Sequence, residues 1–127
     1  MRSRFETQFL YLVLVAMQAA HSAEEYFTNF FDWFHFIKIT GQTFIILNTG
    51  IIAFLLLFAP FIYRKIQWAI NIFRIVVVIE ILNGFVHIIA AFYTGGYFPG
   101  FFTAIGLVTV GILFLRNERK GSRLDPE

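Results

Sequence analysis

The sequence predicts an all-α protein, a four-helix transmembrane bundle with both termini on the cytoplasmic side. Three observations carry that expectation. Of its 127 residues 58% are hydrophobic and only 14% charged, with mean hydropathy +0.72. An ordinary soluble domain carries about 25% charged residues, and so short a chain has no core large enough to hide this much apolar surface from water. Second, four apolar runs approach the ~20 residues that a bilayer requires, separated by short polar or turn-forming segments. Third, basic residues alternate between the ends of these runs, and positive residues in short loops are retained on the cytoplasmic side.

The chain reads as one integral membrane domain over residues 1–127, with spans at about 8–31, 43–63, 68–92 and 99–115 and a polar tail at 116–127. Arg2 and Arg4 precede the first span, which is apolar from Phe9 onward except at His21-Ser22-Ala23-Glu24-Glu25. A cleaved secretory signal fits this start poorly, because Gln18 or His21 would fall where a small residue is needed, so the segment is expected to remain as a span. Gly41-Gln42 breaks the chain before the second span, which contains Asn48 and, near its end, Pro60. Arg64-Lys65 turns it into the third, which carries Arg74, Glu80, Asn83 and His87. Tyr93 to Gly100 is rich in turn formers and delivers the fourth, with Pro99-Gly100 setting its entry and forming a lid on the site only if the loop folds inward. Gly106 and Gly111 in that span are five apart, which spoils a small-residue dimer face. Arg116, Arg119, Lys120 and Arg123 follow it. Trp33, Trp68, Tyr26, Tyr63, Tyr93 and Tyr97 fall near span ends, the headgroup level that amphipathic rings favour.

Several function classes are excluded. A net charge of +2, with its basic residues in loops and termini, makes no case for nucleic acid. The lack of cysteine removes disulfides and thiolate metal sites. Soluble-hydrolase motifs and phosphate-cradling glycine loops are absent. Ser22 makes a weak nucleophile candidate, since it points 100° away from His21 on the helix.

Ionisable side chains inside a membrane span are costly and usually mark a functional interior. At ~1.5 Å per residue, His21 and Glu24 lie roughly 20–24 Å up the first span, and Glu80, Asn83 and His87 roughly 18–28 Å up the third. Asn48 comes at roughly 22 Å on the descending second span. His21, Glu24 and Glu25 share an arc of roughly 100°, and Glu80, Asn83 and His87 one of roughly 60°. Two polar stripes at one depth are expected to face each other in the outer half of the bundle.

Three carboxylates and two imidazoles suit a divalent metal such as Zn, Fe or Mn. His21, Glu24, Glu25, Glu80 and His87 are the candidate ligands, with Asn48 and Asn83 supporting. A metal would also relieve the repulsion among three buried carboxylates. Without metal, Glu24, Glu25 and Glu80 are candidate catalytic carboxylates in an acid–base relay. Either chemistry suits a lipophilic small molecule entering from the membrane lipids. The plainer alternative is a non-enzymatic protein, a ligand or ion binder or a complex subunit, in which the cluster is interhelical glue. His35 reads as interfacial, and Arg74 as snorkelling to the cytoplasmic headgroups. A multi-pass protein of bacterial-type plasma membrane is the expected location.

The chain resembles the HXXEE family of small integral membrane proteins. His21-Ser22-Ala23-Glu24-Glu25 matches the name-giving motif, Asn83-Gly84-Phe85-Val86-His87 an Asn-x-x-x-His element, and Tyr97-Phe98-Pro99-Gly100 a Tyr-x-Pro-Gly segment. The resemblance implies a membrane location and a site of interest but no reaction. It departs from the family pattern after the acidic pair, where Tyr26 to Phe31 contains neither Pro nor Gly.

Overall fold

A computed structural model describes residues 2–33 and 39–124, and among them there are four α-helices and no strand. These are α1 (Arg2–Phe27), α2 (Gly41–Tyr63), α3 (Gln67–Thr94) and α4 (Phe101–Leu124), with a 3₁₀ turn at Phe30–Trp33 after α1. Gly41–Tyr63, Gln67–Thr94 and Phe101–Arg119 are long and apolar enough to cross a membrane, consistent with an integral membrane protein. α1 does not reach that level, because Gln18, His21, Ser22, Glu24 and Glu25 dilute its apolar run. Four of those five polar groups are turned inward: Gln18, His21, Ser22 and Glu25 are buried, as is Thr7 lower on the helix.

Local chemistry sets the helix ends. Thr40 caps α2, its hydroxyl accepting from the Thr43 amide at 3.2 Å. Lys65 takes a left-handed conformation (φ 55°) after α2, and the Ile66 amide reaches back to the Phe61 carbonyl. Gly95 (φ 70°) closes α3 in the same way, with the Gly96 amide on the Ala91 carbonyl. Pro60 stays inside α2, three residues before its end.

α4 packs along both α1 and α3, while α2 packs along α1 and more lightly on α3, so α1 and α3 face each other across the bundle. Gly106 and Gly111 are close-approach points to two different helices. A Cβ at Gly106 would strike Met17 of α1, and one at Gly111 would lie 2.7 Å from Ile81 of α3. The core of the half nearer the chain termini is apolar, with Tyr11, Leu14, Leu55, Phe73, Val77 and Phe114 at its centre. Phe73 packs edge-on to Phe114 at 5.1 Å, and the Tyr11 phenol donates to the Leu55 carbonyl. Outward faces of α2 and α3, among them Leu57, Ile75, Leu82 and Ile89, remain exposed and apolar, as lipid-facing surfaces require.

Residues 116–124, expected as a polar tail, continue α4 as helix. Glu118 holds them to the bundle: Thr7 donates to its Oε1 at 2.8 Å and Arg74 Nη2 lies 3.3 Å from its Oε2. Arg74, expected at the headgroups, is therefore one half of an ion pair joining α3 to α4. α1 begins earlier than residue 8 and ends at Phe27, short of 31.

Candidate metal centre

α1 and α3 run in the same direction and meet in register. His21 meets Asn83, whose Nδ2 lies 3.3 Å from His21 Nε2, and Glu25 meets His87, with Oε1 3.2 Å from Nε2. Both pairs are 62 positions apart in the chain, and their one-turn spacing stacks them as successive rungs. Glu25 Oε1 also lies 3.6 Å from His21 Nε2, so one carboxylate oxygen stands before both imidazoles. His21, Glu25 and His87 are buried and each offers a ligand atom within 4.8 Å of the others. The two rings meet edge to face, centroids 4.7 Å apart.

The outer ring nitrogens fix what the inner ones can do. His87 Nδ1 lies 2.5 Å from the Pro99 carbonyl, which only accepts, so Nδ1 carries a hydrogen. His21 Nδ1 lies 2.8 Å from Thr103 Oγ1. The one hydroxyl hydrogen of Thr103 goes to Glu24 Oε2 at 2.6 Å, so Thr103 accepts from His21. In the neutral imidazoles both Nε2 atoms are then lone-pair donors facing a third, Glu25 Oε1. Ring N–H groups held by protein acceptors are the usual support of metal-ligating histidines. The Glu25 separations of 3.2 and 3.6 Å bracket the ~3.4 Å edge of a tetrahedron with bonds of about 2.0–2.1 Å.

The loop between α3 and α4 folds over this trio. Gly100 (φ 83°) sits against both rings, and a Cβ there would lie 2.7 Å from His21 Cε1 and 2.8 Å from His87 Nδ1. Aromatic side chains complete the cover, with Phe30 5.0 Å and Phe98 5.5 Å from the His87 ring and Trp33 4.9 Å from Phe98. Pro99-Gly100, expected to set the entry of α4, thus also roofs the centre.

The other expected site residues divide. Glu24 turns to the start of α4, where its carboxylate accepts from the Phe102 and Thr103 amides (3.2 and 2.9 Å), the Thr103 hydroxyl and the Tyr97 phenol, the last two both at 2.6 Å. A carboxylate there satisfies orphan amides and meets the positive end of the helix dipole. Partial burial and the bond to Glu24 raise the Tyr97 phenol above its usual range. Glu24→Ala is therefore expected to lower stability by about 1–2 kcal/mol, as the loss of a helix cap does. Denaturant titration in detergent measures this, and retention of any bound ion by the variant separates a cap from a ligand. Asn48 accepts from Ser22 at 2.7 Å and donates to the Phe44 carbonyl, joining α2 to α1. Glu80 is buried in α3, one turn before Asn83. His35 lies outside the described residues.

Thr103, the Pro99 carbonyl and the aromatic cover were not singled out as site components in the sequence. Compared with family models, curated proteins and solved structures, the chain matches none.

Proposed function

We propose that this is a multi-pass plasma-membrane protein of the HXXEE kind, α1 forming a fourth span and both termini cytoplasmic, with one divalent ion held by His21, Glu25 and His87. The observation that carries the reading is the convergence of three lone-pair atoms whose imidazole partners are tied by their far nitrogens to Pro99 and Thr103. Two imidazoles and one carboxylate suit Zn, Fe or Mn. Such an ion supplies Lewis-acid polarisation of an oxygen, or a bound water acidic enough to ionise near neutral pH.

The protein's own groups have separate tasks in this reading. Glu25 would hold the ion between the two imidazoles, Asn83 would give up its 3.3 Å contact with His21 Nε2 to the ion, and Glu80 is the nearby carboxylate that takes up or gives back a proton. The aromatic cover excludes water. A lipophilic substrate is favoured by a cleft of about 380 Å³ beside the roof, between the end of α3 and the start of α4, lined by Ala91, Phe92, Gly95, Gly96 and Phe101. Ala91 lies one turn beyond His87, and Phe101 follows Gly100.

A second reading has its own support. One proton on His87 Nε2 would pair it with Glu25, and the Asn83 amide already reaches His21 Nε2, so the cluster would serve as interhelical glue. Elemental analysis of detergent-purified protein separates the two. The metal reading expects about one ion per chain, lost in both His21→Ala and His87→Ala; glue predicts no metal in any of the three and a large loss of stability in both variants.

A further inference from the structure

The ladder between α1 and α3 extends one rung below the metal centre. Gln18, His21 and Glu25 on α1 have the same spacing as Glu80, Asn83 and His87 on α3, and the offset of 62 that pairs His21 with Asn83 also sets Gln18 opposite Glu80. Both residues are more than nine-tenths buried, with 4% and 8% of their surfaces exposed. Each has a buried oxygen, Gln18 Oε1 and Glu80 Oε2, without a hydrogen-bond partner among the described residues. The Gln18 amide nitrogen is turned the other way, toward Ser22 at 3.5 Å. Two acceptors cannot satisfy each other, and a buried acceptor left unmade is costly. Arg74, on the same helix as Glu80, is engaged by Asn71 and Glu118.

We infer that the Gln18–Glu80 rung is a binding site for one water molecule, which donates a hydrogen to each of the two oxygens. Buried water is found where polar groups lack partners and a small donor can reach several of them. Such a water also gives Glu80 a partner for proton exchange in a part of the bundle otherwise closed by apolar side chains. The site does not depend on metal, and its link to the centre rests on the role given to Glu80 above.

Difference infrared spectroscopy of the full-length protein in H₂¹⁶O and H₂¹⁸O tests the site in metal-free and metal-loaded samples alike. The expected result is an internal-water O–H stretch that shifts with the oxygen isotope and is lost in Gln18→Leu and in Glu80→Leu. Thermal unfolding gives an independent reading. Each single variant leaves one acceptor stranded and lowers Tm, while the double variant, which removes both, recovers at least half of the summed loss. Two results overturn the proposal: no isotope-sensitive band in the wild-type protein, or a band that survives in both variants. A carboxylic-acid carbonyl band that Glu80→Leu removes, found with no isotope-sensitive water band beside it, would mean that a proton on Glu80, and no water, satisfies the pair. A metal centre that proves empty leaves this test intact.

Discussion

Exchange of Glu25 for glutamine is expected to weaken divalent-metal binding by roughly a hundredfold or more and to leave the four helices assembled. Loss of a residue that merely supports a ligand costs about 10–100-fold in affinity, and Glu25 Oε1 is placed to bind the ion itself, 3.2 and 3.6 Å from the two imidazoles. Glutamine keeps the volume, so the packing of α1 on its neighbours is preserved while the one negative charge shared by both histidines is removed. Competition against a fluorescent chelator reads the affinity, and far-ultraviolet circular dichroism reads the helices. Glu24, one residue away, is expected to behave in the opposite manner, keeping metal and losing stability, because its four hydrogen bonds go to α4 and Tyr97. Adjacent carboxylates with reversed phenotypes are hard to obtain from a cluster that acts only as glue.

The second large effect belongs to a single methyl group. Gly100→Ala is expected to destabilise the protein by about 2–5 kcal/mol, combining about 1–2 for a left-handed residue with about 1–3 for overpacking. The conformation at φ 83° disfavours any side chain, and the added carbon would press on His21 and His87 together. The cost has separable parts. In a His21→Ala background the contact with one ring disappears while the backbone strain stays, so the penalty for Gly100→Ala should shrink without vanishing. Equilibrium unfolding of the four proteins in one detergent measures the cycle, and loss of metal should accompany the single variant because both ligands are displaced.

The polar stripes were legible because they depend on arithmetic that the sequence contains. Helical spacing put His21 with Glu25 and Asn83 with His87, and the rise per residue put both stripes at one depth, as the pairs His21–Asn83 and Glu25–His87 show. The split between Glu24 and Glu25 was less accessible. Both belong to one broad arc, and which edge of it meets the trio depends on where α4 begins, a tertiary fact. The supporting acceptors had no signal of their own. The Pro99 carbonyl is a backbone atom, and Thr103 looks like any other polar residue in an apolar run. Glu118 was hidden for a related reason: Arg116, Arg119 and Lys120 around it made residues 116–127 read as a solvated tail, whereas its carboxylate is held by Thr7 and Arg74. The end of α4 shifted because the helix continues beyond its apolar stretch where neighbouring helices offer such partners.

The central claim is that His21, Glu25 and His87 converge on one ion inside the bundle. Anomalous diffraction from crystals grown with zinc, recorded on either side of its absorption edge, addresses it most directly. The prediction is a single strong peak at about 2.0–2.2 Å from His21 Nε2, His87 Nε2 and a Glu25 oxygen, beneath the Gly100 roof. A map with no peak there, or with zinc only at the exposed ends of the helices, would contradict the assignment and leave the trio as a proton-linked tie between α1 and α3.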